Sequence, residues 1–386
     1  MSEWKKVNLG DYCEIISSKR IFFSEYVESG IPFYRSKEII EKGKGEEISH
    51  PLYISKEKYD EIKGKYGVPQ KGDLLLTAVG SLGIPFVVKD DSPFYFKDGN
   101  LVWLKHFQDI DPIFLYYWIK SENGYNALYN IAIGSAQKAL TIAAIKGYEI
   151  PLPPLQTQHR IATILSRYDS LIENYQKQIK LLEEAAQRLY KEWFVDLRFP
   201  GHENTKIVDG VPEGWTPSQL GQLAEFKRGK TITKKDVIDG NIPVVAGGLE
   251  PAYYCNKSNT AERVITISGS GANAGFTRMY FEKVWASDCS FVDVSVTPFL
   301  HFVYCYLKDN KTTIDNMQKG AAQPHVYAKD INSLGLCIPI ESILKSFEGK
   351  ISKYFDSISS LQSQLRLLTE ARNRLLPKLM SGEIEI

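Results

Sequence analysis

The chain repeats itself, and that repeat restricts its fold more than its composition does. Trp4-x4-Leu9-Gly10 returns as Trp215-x4-Leu220-Gly221, and Ile31-Pro32 returns as Ile242-Pro243, both at an offset of 211. Later matches lie closer together. Gly134-Ser135-Ala136-Gln137 aligns with Gly320-Ala321-Ala322-Gln323 at 186, and Ile150-Pro151 with Ile338-Pro339 at 188. The first copy must therefore carry extra residues between Pro32 and Gly134. The lysine- and glutamate-rich stretch 36 to 67 is the expected place, with no counterpart in the second copy.

Each copy ends in a long amphipathic pattern. In the first, Ile161, Leu165, Tyr168, Ile172, Tyr175, Ile179, Leu182, Ala186, Leu189 and Trp193 follow one another in alternating steps of four and three. In the second, Phe347, Ile351, Tyr354, Ile358, Leu361, Leu365, Leu368, Arg372, Leu375 and Leu379 repeat the same register at an offset of 186, and only Arg372 breaks the apolar series. This is a heptad seam, narrow enough to suit a partner helix, with a helix lying on its own globular domain as the alternative. Because register and length match, the two helices are expected to pack on each other. About 35 residues at 1.5 Å each give roughly 50 Å of helix, longer than a small domain is wide, so the pair is expected to project as a rod. Domain two starts where helix one ends, which favours an antiparallel pair with the domains at opposite ends. Pro377 is expected to bend or end the second helix.

The sequence thus predicts an α+β chain in four parts: a globular domain over 1–155, a helix over 156–200, a second globular domain over 201–340 and a second helix over 341–386. Strands are expected at Leu74 to Ala78, Pro85 to Lys89, Asn100 to Leu104 and Val264 to Ile267. Short buried helices are expected at Ile113 to Lys120 and Phe299 to Leu307, and a linker from Phe199 to Gly214.

Several function classes lose support. With 43% hydrophobic and 24% charged residues the chain can fold, so disorder is excluded as its main state. The longest apolar run, Ile113 to Ile119, is far short of the about 20 residues a membrane span needs. The N-terminal residues lack an apolar signal core, and the five cysteines form no close pair, which fits a reducing cytoplasm and argues against a zinc site. No phosphate-binding Gly-x4-Gly-Lys-Ser/Thr loop is present, and the segment after Gly269-Ser270-Gly271 reads as strand, so no helix N-terminus meets a pyrophosphate there. The six histidines are scattered, and Glu61-Ile62-Lys63 reads as a solvated helix face. No catalytic or metal residues are expected. A net charge of +1 leaves nucleic acid open without requiring it.

Two similar domains on a two-helix spacer suit an object with local two-fold symmetry, such as a DNA site with two halves. Candidate contacts come from repeat position. Arg35 and Lys37 follow Ile31-Pro32, and Lys227, Arg228 and Lys230 follow the second Leu-Gly, where they could neutralise phosphates. Thr77 and Ser81 flank one glycine-rich loop, and Ser268, Ser270 and Asn273 another, where small residues let backbone approach a groove. Gln137 and Gln323, at matching positions, could each pair with adenine; Lys138 and His325 lie beside them. A solvated turn, a plain hairpin or a structural hydrogen bond would explain the same residues without DNA.

The segments IPLPPLQTQHRIATIL (150 to 165), YISKEKYDEIKGKYGVPQKGDLLLTAVGSLG (53 to 83), WFVDLRFPGHE (193 to 203), VPEGW (211 to 215) and RLLPKLMSGEI (374 to 384) resemble the specificity subunit of type I restriction–modification systems. The resemblance spans the whole chain in the order recognition domain, helix, recognition domain, helix. It departs at Thr157, where the family usually has Glu, and at Ile338-Pro339-Ile340, where the proline-rich segment is shortened. The resemblance implies a subunit without catalysis of its own. Each domain would read half of a split double-stranded DNA target, and the helices would set the gap. Two methyltransferase subunits would dock on it and restriction subunits could join, bringing S-adenosylmethionine, ATP and Mg. Two other readings stay open: a coiled-coil adaptor indifferent to DNA, and a self-sufficient DNA methyltransferase or nuclease.

Overall fold

A computed structural model describes residues 4–135, 137–318 and 324–386. The chain divides into two compact units, residues 1–174 with 365–386 and residues 175–364. The division falls inside both long helices, Leu155–Tyr190 and Glu341–Met380, so each unit owns the start of one helix and the end of the other.

The first unit holds two four-stranded sheets. One runs Glu14–Ile16, Leu101–Lys105, Leu74–Thr77, Pro85–Val87, all antiparallel. The other runs Tyr26–Val27, Leu52–Ile54, Ile31–Tyr34, Tyr95–Phe96, its last pair parallel. Leu74–Thr77 is buried throughout, which accounts for an unbroken apolar run where a half-exposed strand would alternate. The second unit repeats the plan. Lys227–Arg228, Cys289–Asp293, Val264–Ser268 and Thr277–Tyr280 form one sheet. Tyr253–Cys255, Ile242–Val245 and Trp285–Ala286 form the other, again with a parallel last pair. Each unit also pairs the strand that opens its repeat with the strand before its long helix: Lys5–Asn8 with Glu149–Leu152, and Thr216–Gln219 with Gly335–Ile338.

The repeated Leu-Gly has a packing cause. Leu9 and Leu220 are fully buried. A Cβ on Gly10 would sit 2.9 Å from the Cβ of Lys146, and one on Gly221 would sit 3.0 Å from that of Asn332. Both glycines admit a short helix, Ile142–Lys146 or Ala328–Asn332, against the chain.

Two expectations need correction. Stretch 36 to 67 is not wholly extra: it contains Leu52–Ile54, whose counterpart is Tyr253–Cys255, pairing with the equivalent strand. The additions are the helices Ser36–Gly43 and Lys56–Tyr66 on either side of it. The supposed linker is also structured. Ile207–Val208 and Val211–Pro212 make a small hairpin, and buried Phe199 packs on Trp215 at 5.1 Å.

The seam is the packed face of both helices: each of its twenty residues is buried or half-buried, while Leu171, Leu181 and Leu367, off the seam, are exposed. In the first unit Ile161 and Leu165 share a core with Leu375, Leu379 and Met380. In the second, Ile179, Leu182, Ala186, Leu189 and Trp193 share one with Phe347, Ile351 and Ile358, and Trp193 lies 5.7 Å from Phe347. Within each unit the start of one helix meets the end of the other, so the helices are antiparallel there. The helix passes through Pro377 and ends one turn later, where only one main-chain bond is forfeited. Arg372, the break in the seam, has its partner: its guanidinium donates to Asp169 at 2.6 Å, and the Tyr117 hydroxyl donates to the other carboxylate oxygen at 2.7 Å.

Gln158 explains part of the proline-rich segment. It is fully buried, accepts from Asp111 N–H at 2.9 Å and donates to the carbonyls of Pro153 and Asp109, tying the long helix to the start of Pro112–Lys120. In the second unit, where the proline-rich segment is shortened, Glu348 accepts from Phe302 N–H at 2.8 Å and pairs with His301 at 2.7 Å. No described helix is long and apolar enough to cross a membrane.

Candidate nucleic-acid interface

Each unit brings together two loops that lie far apart in sequence. In the first, the turn after Leu74–Thr77 meets the segment around Gln137. Val79 bridges Ala139, and Leu140 N–H donates to Ala78 at 2.9 Å. In the second, the turn after Val264–Ser268 meets the segment around His325. Ser270 bridges His325, and Val326 N–H donates to Gly269 at 3.1 Å. The two clusters stand at equivalent strand ends.

The first cluster forms an open cleft of about 580 Å³ lined by Gly80, Ser81, Tyr125, Tyr129, Gln137 and Lys138. Ser81 and Gln137 are exposed, and Lys138 lies 3.7 Å over the Tyr129 ring, which stacks on Tyr125. Sequence reading missed both tyrosines, whose four-residue spacing on the helix Glu122–Asn130 was the available signal. In the second cluster His325 stacks on exposed Tyr327. Half-buried Asn273 reaches the Gly247 carbonyl at 3.5 Å, and Ser270 donates to Asp288. Gln323 lies outside the described residues.

Two candidates in these loops are corrected. Thr77 is fully buried; its hydroxyl donates to Ser81 O and accepts from Ile84 N–H at 2.8 Å. Ser268 is buried and donates to Gly247 O at 3.0 Å. Both hydroxyls are used up shaping the loops, so neither faces a groove.

The basic candidates separate. Lys227 and Arg228 are exposed on an edge strand, and Lys230 follows them. None of the three has a carboxylate partner among the described residues. Gly229 is required between them, because a Cβ there would meet Ser287 O at 2.3 Å. Arg35 is more constrained than expected. It caps Ser36–Gly43 through buried Glu38, which accepts from Arg35 N–H at 2.8 Å and from its guanidinium. Burial works to raise the Glu38 carboxyl, but the hydrogen bonds from Arg35 outweigh it and hold the carboxyl below its ordinary value. Lys37 is exposed, 3.6 Å from Glu41. Among the described residues no cluster of His, Cys, Asp or Glu could hold a metal ion.

A family model, the type I restriction modification DNA specificity domain, matches residues 1–184 and 212–370. The chain belongs to this family. Its members are the non-catalytic specificity subunits of type I restriction–modification complexes. The chain is 28% identical to the type I restriction enzyme MjaIX specificity subunit of Methanocaldococcus jannaschii, over 82% of this chain and 78% of that relative. It is 34% identical to the putative specificity subunit S.HindORF215P of Haemophilus influenzae over 48% of this chain and 46% of the relative. The crystal structure of the type I restriction–modification S subunit from M. genitalium shares the fold, with a TM-score of 0.66 at 18% identity over 97% of this chain and 96% of that one.

Proposed function

We propose that each unit reads one half of a split double-stranded DNA target through its paired loops, and that the two long helices fix the gap. The observation that carries this reading is the duplicated cluster: a small-residue loop bridged to a second loop, beside stacked aromatics and a cation or histidine, at the same strand ends of both units. Ser81, Gln137 and Lys138 would face the first half-site, and Ser270, Asn273 and His325 the second. Lys227, Arg228 and Lys230 would bind phosphates, which position a protein without specifying sequence.

Off-seam residues such as Leu181 and Leu367 leave apolar helix surface for other subunits. Two methyltransferase subunits would dock there, with restriction subunits added to the complex. S-adenosylmethionine, ATP and Mg belong to those partners, in the cytoplasm where host DNA lies.

The test is co-expression with the neighbouring methyltransferase and single-molecule sequencing of host DNA. The reading expects modified adenines in a split motif of fixed gap, present only with this chain. A stable complex that yields no motif would favour the adaptor reading, and methyl transfer by the pure chain would favour a self-sufficient enzyme.

A further inference from the structure

One turn occupies the same repeat position in both units but carries different chemistry. In the first unit, buried Ile21 precedes Phe22 and Phe23, which are 62% and 87% exposed. They open the one-turn helix Phe23–Glu25, closed by the Glu25 carboxylate on Phe22 N–H at 2.7 Å. In the second unit, at the repeat offset of 211, buried Ile232 precedes Thr233, Lys234 and Lys235. They open the one-turn helix Lys234–Asp236, closed by Thr233 on Asp236 at 2.5 Å. Both turns rest on the same support. Lys19 N–H donates to the Tyr95 hydroxyl at 2.6 Å, and Trp285 donates to Lys230 O at 2.7 Å, from equivalent strands.

The first turn is linked to the first loop cluster through one short segment of chain, 97 to 100. Phe22 and Phe23 rim a cleft of about 430 Å³ that is also lined by Arg20, Arg35, Lys97 and Asp98. Two residues beyond Asp98, the Asn100 carbonyl accepts from Ala78 N–H at 2.8 Å, at the root of the Gly80 loop. A lone exposed aromatic is ordinary. Two adjacent ones offer stacking surface above a cleft where Arg20 pairs with Asp98 at 2.8 Å and Arg35 with Glu38, and where Lys97, without a carboxylate partner among the described residues, is available to a phosphate.

We propose that Phe22 and Phe23 form a wedge that stacks on bases of the first half-site or inserts at a base step, whereas the equivalent turn, with Thr233 and Lys234 at the matching positions and Lys235 next to them, contacts only phosphates of the second. The inference rests on the DNA-reading function proposed above. Apolar wedges of this kind unstack and kink duplexes, and stacking on an aromatic tolerates sequence because every base has a π-face. The two half-sites would then differ in salt dependence and in deformation although the folds match.

The experiment uses the full chain assembled with its methyltransferase subunits and a duplex carrying the methylated motif, with 2-aminopurine placed along each half-site. Phe22→Ala with Phe23→Ala should weaken binding about tenfold to a hundredfold. It should leave the salt slope unchanged and abolish a fluorescence rise confined to the first half-site, and Phe23→Trp should restore it. Lys234→Ala with Lys235→Ala should lower the salt slope by about 1 for each lysine and leave the fluorescence alone. Equal binding by wild type and the phenylalanine variant, with no fluorescence rise in either, would overturn the wedge while leaving the DNA-reading function intact. Loss of methyltransferase assembly with DNA affinity preserved would overturn it in favour of a protein-docking surface. Absence of motif binding by wild type would overturn both.

Discussion

Arg372 is the one charged residue in an otherwise apolar seam, and removing it tests how the first unit holds its two helices. Its guanidinium meets Asp169 at 2.6 Å, and the side chains are only 23% and 21% exposed. Asp169 also accepts from Tyr117, whose hydroxyl is pushed far up first by burial and then by this carboxylate. In Arg372→Ala, Asp169 keeps the tyrosine and loses the cation. A charged hydrogen bond is worth about 1.5–3 kcal/mol, and breaking a fully buried pair costs about 3–5 kcal/mol. Partial exposure places this site near the lower range, about 2 kcal/mol. At about 2–4 °C per kcal/mol for a unit of this size, the melting temperature should fall by about 4–8 °C.

The second unit supplies the control. At the 186 offset Asp169 corresponds to Phe355 and Arg372 to Ala186, both buried in that unit's core. Asp169→Phe combined with Arg372→Ala transplants this apolar arrangement and should recover part of the loss, because a well-packed apolar replacement of an ion pair is often neutral while the buried Tyr117 hydroxyl loses its acceptor. Differential scanning calorimetry of wild type, both single variants and the double variant closes the cycle. An unchanged melting temperature in Arg372→Ala, or a double variant no better than the single, would refute the reasoning.

Gly10→Val should destabilise the first unit by about 1–3 kcal/mol, since the new side chain meets Lys146 main chain at 3.0–3.1 Å; urea unfolding checks it. The Glu38 carboxyl is held below its ordinary 4.5, so its contribution is fully present above that value and is lost as pH falls through the lowered one. The melting-temperature gap between wild type and Glu38→Gln should therefore narrow on acidification, and a gap that widened would contradict the pairing. Alanine at Lys227, Arg228 and Lys230 together should weaken DNA binding uniformly across sequences and reduce the salt slope by about 3. A change in the methylated motif would show that these side chains read bases.

Periodicity was enough to place the helices and their seam, because burial enforces the pattern. The strands at Leu74–Thr77 and Val264–Ser268 were also legible as apolar runs. The shared strand Leu52–Ile54 was hidden between two charged helices, where only its pairing with Ile31–Tyr34 reveals its role. Thr77 and Ser268 were misread because small polar residues in a glycine-rich loop serve the loop's own hydrogen bonds as readily as a ligand. Arg35 looked free because its partner Glu38, three residues on, read as part of a solvated charged stretch. Tyr125, Tyr129, Phe22 and Phe23 went unnoticed because exposure, not residue type, singles them out.

The central claim is that two copied units read two half-sites at a distance set by the helices. It is tested most directly by removing one heptad from each long helix at matching seam positions, then mapping methylated adenines beside the wild type. The account predicts the same half-site bases with a shortened gap. An unchanged gap, or altered bases within the half-sites, would contradict it.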